Sequence, residues 1–97
     1  METKEKINRV TSSLNELLAI KNARYGDSAL NPIGIFTKHM SKENTTALNL
    51  ILTRLDDKLQ RIKNADVLRK NDVVDLMGYC TLLCCAKDWT DFKDLID

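Results

Sequence analysis

Apolar residues recur along this chain at intervals of three and four, the spacing of one helix face. In the first segment they fall at Ile7, Val10, Leu14, Leu17 and Leu18, with Ala19 and Ile20 widening the stripe, and Lys, Glu and Asn fill the opposite face. The pattern predicts a helix from about Thr3 to Arg24, closed at Tyr25-Gly26 because glycine readily takes the left-handed conformation that ends a helix. A second stripe, Leu48, Ile51, Leu52, Leu55, Leu59 and Ile62, predicts a helix from about Thr45 to Lys63. Asn71 is placed to cap a third helix, Asp72 to about Lys87, whose early carboxylates Asp72 and Asp75 suit the positive end of the helix dipole. Between the first two helices, Asn31-Pro32 suggests a cap and a first helical position, followed by a short helix through Ile33, Ile35, Phe36 and Met40, with Ser41 to Thr45 a second cap or loop. Val67 and Leu68 are expected to plug the connection before the third helix. Thr90 is expected to cap a short tail helix that folds Phe92, Leu95 and Ile96 back.

β-branched alternation is absent, and only three Gly and one Pro occur. The fold class expected is therefore all-α: one domain over residues 1–97, a small helical bundle around a central antiparallel hairpin of the second and third long helices. About seven residues join that pair, within the usual range for neighbouring helices.

The third helix departs from an ordinary amphipathic pattern. Val73, Val74, Leu76, Met77, Tyr79, Cys80, Leu82, Leu83, Cys84, Cys85 and Ala86 wrap nearly all the way round it. A helix apolar on every side is buried on every side, and a chain of 97 residues has little with which to cover it. Oligomerisation is the expected solution, with the 73–86 helix in the interface and Gly78 allowing close backbone approach there. The competing arrangement covers it with the first helix, the short helix and the tail of the same chain.

Composition narrows the function classes. Lys plus Arg is 15 and Asp plus Glu is 14, a net charge of +1, which gives no general pull toward nucleic acid or anionic lipid. No apolar run approaches the roughly 20 residues that cross a bilayer. The charged N-terminus, METKEKINRV, has no signal-peptide character. Cys80, Cys84 and Cys85 lie in one predicted helix without CxxC spacing, and are expected to be reduced packing residues rather than zinc ligands. Together these imply a cytoplasmic protein with neither a membrane nor a nucleic acid as partner. The single histidine, His39, gives no catalytic pair, and both the GxxxxGK[ST] and GxGxxG phosphate loops are missing.

Any anion site must then be a local cluster. Arg54, Asp57, Lys58 and Arg61 stand at i, i+3, i+4 and i+7, one stripe beside the core face of the second long helix. Guanidinium groups there can hold phosphate in a bidentate way; the plainer reading is a solvated row of ion pairs. Asp72 and Asp75 sit one turn apart, with Tyr79 a turn further on. They could bind Mg²⁺ together with Asp57, pair with the basic stripe across the hairpin, or simply cap the helix. Tyr25-Gly26-Asp27-Ser28 could offer backbone N–H groups and a ring for stacking, although such a string is also an ordinary helix stop.

Three segments taken together, KNARYGDSA at 21–29, RLDDKLQRIKN at 54–64 and RKNDVVDLMGY at 69–79, resemble the small phage and prophage proteins of the nucleotide modification associated domain 1 family. The resemblance covers about residues 17 to 90. It implies a phage-linked role in nucleotide recognition or metabolism, inside a bacterial host cell. The pattern is also distantly similar to the all-α nucleoside triphosphate pyrophosphohydrolases of the MazG and dUTPase type, which hold Mg²⁺ with ExxE on one helix and ExxD on a later one. Asp72-x-x-Asp75 could stand for the second pair. The first pair is unmatched, because Asp56 and Asp57 are adjacent and point about 100° apart on a helix; Glu16 is a stray contributor. The leading expectation is a nucleotide-binding site made by Tyr25, Gly26, Asp27, Ser28, Arg54, Lys58, Arg61 and Tyr79, sequestering a linear or cyclic nucleotide signal without turnover, as an anti-defence protein would. The alternatives are a Mg²⁺-dependent pyrophosphohydrolase, and a phage protein-interaction or regulatory role with no nucleotide.

Overall fold

Helix α1, Thr3–Arg24, keeps the limits that the periodicity predicts. A computed structural model describes residues 1–32 and 46–96, so the short helix expected over 33–40 and the expected loop at 41–45 lie outside the described residues. The end of α1 is made by backbone geometry. Tyr25 donates its N–H to the Lys21 carbonyl at 2.9 Å, and Gly26 and Asp27 follow at φ +61° and +60°. A Cβ added at Gly26 would meet nothing within 4 Å, so it is the left-handed backbone, not crowding, that favours glycine there. Gly26→Ala is expected to cost about 1–2 kcal/mol, read as a shift in the denaturation midpoint with an unchanged slope.

Helix α2, Ala47–Asn64, starts at a true cap: Thr46 is extended and its Oγ1 accepts from the Asn49 N–H at 3.2 Å, a device worth about 1 kcal/mol. Helix α3 spans Lys70–Ala86 and begins two residues earlier than expected. Its N-cap is Arg69, not Asn71, because the Val73 N–H already reaches the Arg69 carbonyl at 3.3 Å. Asp72 therefore sits inside the first turn, where it is buried and faces the positive helix end.

The five residues between α2 and α3 return the chain antiparallel, and the two helices pack closely along their lengths. Lys58 meets Asp75 across this hairpin; the same register sets Arg54 opposite Tyr79 and Arg61 opposite Asp72. Ile51, 2% exposed, is the one hydrophobic side chain fully buried among the described residues. The expected all-helical bundle with a central hairpin is what the structure shows.

α1 packs against α3 rather than α2. The contact runs through Gly78, where an added Cβ would come 3.2 Å from Leu18 Cδ2. The close approach foreseen at Gly78 is thus made by a helix of the same chain. A larger side chain should lever the helices apart: Gly78→Leu is expected to lower the melting temperature clearly, whereas an unchanged melt would show that α1 is not seated there.

Several apolar positions are not covered as expected. Val67 and Leu68 plug nothing; both are exposed. The tail forms only a 3₁₀ turn, Lys93–Leu95, whose start is held by Asp91 rather than Thr90: Asp91 Oδ1 accepts from the Lys93 N–H at 2.9 Å. Trp89, Phe92, Leu95 and Ile96 remain exposed, with Lys87 Nζ 5.6 Å from the Trp89 ring centre. One 3₁₀ turn offers too little apolar face to fold back on the hairpin. On α3, Cys80 and Cys85 are exposed and Cys84 is half-buried, so two of the three thiols are not packing residues; all three are unpaired. Among the described residues no helix is long and apolar enough to cross a membrane.

Candidate functional site

The antiparallel register decides how the charged stripe is used. Arg54 and Arg61 are separated by about 10.5 Å along α2. The structure divides them. Arg54 lines a hollow of about 550 Å³ between the C-terminal half of α1, the first turns of α2 and the middle of α3. Arg61 lines a separate hollow of about 350 Å³ at the other end of the hairpin, with Gln60, Asn64, Arg69, Asn71 and Asp72.

Lys58 lies between the two and is committed to neither. Its Nζ is 2.8 Å from Asp75 Oδ2, and its side chain is only 14% exposed. Lys21, from α1, approaches the other oxygen of the same carboxylate at 3.8 Å and is far more open. Asp75 therefore ties all three helices together. Lys58 satisfies its charge with a short, sheltered bond, while Lys21 sits loosely at the rim.

The larger hollow has an apolar floor and a polar mouth. Leu17, Leu18, Leu50, Ile51, Val74 and Leu82 form its walls; Lys21, Asn22, Tyr25, Ser28, Arg54, Asp75 and Tyr79 supply polar atoms and two aromatic rings. Its size and its mixture of apolar wall with a few polar groups are those of small-molecule sites. The segments 21–29, 54–64 and 69–79, distant in sequence, all contribute to it: Lys21, Asn22, Tyr25, Ser28 and Ala29 from the first, Arg54 from the second, Val74, Asp75, Gly78 and Tyr79 from the third.

Of the residues expected at a ligand, Tyr25, Ser28, Arg54 and Tyr79 meet at this hollow, as does Asp75. The turn at 25–28 does not offer its N–H groups as expected. Those of Tyr25, Asp27 and Ser28 are spent on the carbonyls of Lys21, Asn22 and Tyr25, and the Asp27 carboxylate accepts from the Asn31 side-chain amide. Gly26 and Asp27 shape the turn and do not line the hollow. The carboxylates Asp57, Asp72 and Asp75 are not brought together either. Asp57 is exposed and lines neither hollow, Asp72 belongs to the smaller one, and Asp75 is the one acid among the described residues that line the larger. Glu16 is exposed on α1 and lines neither. Among the described residues no three His, Cys, Asp or Glu side chains are grouped as metal ligands.

Sequence reasoning missed Lys21 and Asn22. The signal was present: they stand four residues beyond Leu17 and Leu18, so they continue that half-buried face of α1 with polar side chains. No family model, curated protein or solved structure matches the chain.

Proposed function

We propose that the larger hollow binds a nucleotide and holds it without turnover. The observation that carries this reading is the meeting of three separate motif segments, the same three that resemble the nucleotide modification associated domain 1 proteins, at one ligand-sized hollow. Their chemistry there is complementary to a nucleotide. Arg54 and Lys21 are cations at the mouth, suited to phosphate; Tyr25 and Tyr79 are rings suited to a base; Ser28 and Asn22 offer hydrogen bonds to a sugar or base edge. In a phage-encoded protein such a site would sequester a linear or cyclic nucleotide signal.

Binding without turnover is favoured over the pyrophosphohydrolase reading by the state of Asp75. It is the single carboxylate in the described lining, and Lys58 already neutralises it at 2.8 Å. A Mg²⁺ ion there would have to displace that lysine and find its other oxygen ligands elsewhere.

Arg54→Ala is expected to weaken binding by about 1.5–3 kcal/mol, roughly ten- to over a hundredfold, the worth of a charge-assisted hydrogen bond. Calorimetric titration with nucleoside triphosphates and cyclic di- and trinucleotides measures it. The same panel with Mg²⁺ tests hydrolysis: no product is expected. Turnover that Asp75→Asn abolishes would establish the pyrophosphohydrolase instead. Binding unaffected by Arg54→Ala would remove the phosphate role given to this residue.

A further inference from the structure

The smaller hollow, between the last turns of α2 and the start of α3, plays no part in the nucleotide site. It holds the one buried charged side chain among the described residues: Asp72 is only 6% exposed. Among the described residues nothing hydrogen-bonds or ion-pairs with its carboxylate, although Arg61 and Arg69 line the same hollow. No buried side-chain oxygen there is sealed off without a partner, so the carboxylate opens on the hollow rather than into apolar packing. A buried carboxylate is costly unless it is paired or hydrogen-bonded. The positive end of α3 eases that cost but makes no bond to Asp72. A group in this state marks a place for a water, an ion or a ligand, and the groups around it decide which.

Those groups are charged and uncommitted. Arg61 and Arg69 are exposed and make no ion pair among the described residues. Gln60, Asn64 and Asn71 add neutral amides. Helix α3 starts at Arg69 without a side-chain cap, which leaves N–H groups of its first turn for an anion. Two guanidinium groups against one carboxylate leave one positive charge in excess. A bare cation in the hollow would be repelled by both arginines, and a bare anion would face Asp72. A molecule carrying both charges suits all three side chains. At about 350 Å³, and with no aromatic ring among the described residues of the lining, the hollow is at the small end of ligand sites and offers nothing for a base to stack on.

We infer that this hollow binds an acidic α-amino acid, aspartate or glutamate. The ammonium pairs with Asp72, and the two carboxylates pair with Arg61 and Arg69, each guanidinium able to give a carboxylate two parallel N–H···O bonds. The single net negative charge of the ligand cancels the excess of the lining. The site is separate from the larger hollow and does not depend on what that one binds.

The test follows backbone amide shifts of the ¹⁵N-labelled full chain during titration with millimolar glutamate, aspartate, inorganic phosphate and glutarate, which is glutamate without its ammonium. Saturable shifts around residues 60–72 are expected with an amino acid. Glutarate and phosphate are expected to bind at least about tenfold more weakly, since neither offers Asp72 a partner. Asp72→Asn should abolish the preference for glutamate over glutarate. Arg69→Gln, at an exposed position where folding is not at stake, should weaken glutamate about tenfold; circular dichroism checks both variants. The comparison of glutamate with glutarate in the native chain needs no variant at all. No saturable shift with either amino acid, glutarate or phosphate binding as tightly as glutamate, or Arg69→Gln binding like the native chain would each overturn the proposal.

Discussion

Ile51→Ala is expected to produce the largest loss of stability of any single truncation in the described residues. Ile51 is the one hydrophobic side chain fully enclosed there, at the junction of α2, α3 and the floor of the larger hollow. Removing most of a buried isoleucine forfeits its transfer energy and leaves a cavity, about 2–5 kcal/mol in total. Domains of this size are stable by only about 5–15 kcal/mol, and each kcal/mol moves the melting temperature of a domain this small by about 4–8 °C. The variant should therefore melt about 10–40 °C lower or be partly unfolded at room temperature. Leu59→Ala on the same helix is the control, because Leu59 is half in solvent already; its cost should be well under half as large. Equal effects at the two positions would mean that the core is not centred on Ile51. Urea denaturation distinguishes the cases, provided the slope stays constant.

The second large effect concerns the ion pair that joins α2 to α3. Asp75→Ala leaves the sheltered Lys58 ammonium without its partner at 2.8 Å. A hydrogen bond between charged groups is worth about 1.5–3 kcal/mol, and the orphaned cation gives the loss its size. Replacing both partners with apolar side chains of similar length, Lys58→Met with Asp75→Leu, should recover most of the stability that either single change removes. A double-mutant cycle then gives a clear coupling energy between the two positions. Because the pair is sheltered, raising the salt concentration should change that coupling little. Strictly additive costs would show that Lys58 and Asp75 do not act as a unit.

The helices were legible because periodicity and end signals agreed. α1 has both a continuous stripe and a glycine stop at Gly26, and its limits are those expected. α3 lacks a decisive start signal, since Arg69, Asn71 and Asp72 all stand near its first turn, and its cap lies two residues before the expected Asn71. A stripe states which face is apolar, not what will cover it. Ile7 and Val10 match the pattern of Leu17 and Leu18 in sequence, yet only the second pair is seated. The same limit applies to Trp89, Phe92, Leu95 and Ile96, whose composition suggests an anchor while the chain gives them only a 3₁₀ turn.

Spacing along one helix did not give the layout of the candidate site. Arg54, Lys58 and Arg61 share one face of α2, which made them look like one cluster. The antiparallel register distributes them among a hollow, an ion pair and a second hollow. Spacing within one helix fixes direction around its axis, but only the partner helix decides which positions along that axis meet. Lys21 and Asn22 were missed for the complementary reason. They stand on a helix read for its apolar stripe, and their place at the mouth depends on how α1 leans against Gly78.

Native mass spectrometry tests the central claim most directly, with the full chain and its Arg54→Ala variant each exposed to nucleoside triphosphates and to cyclic di- and trinucleotides, with and without Mg²⁺. The account predicts that at least one nucleotide adds its intact mass to the native chain, and that the adduct is lost or strongly depleted in Arg54→Ala under the same conditions. The absence of any adduct across the panel, or an adduct equally abundant in the two proteins, would contradict a nucleotide site in this hollow.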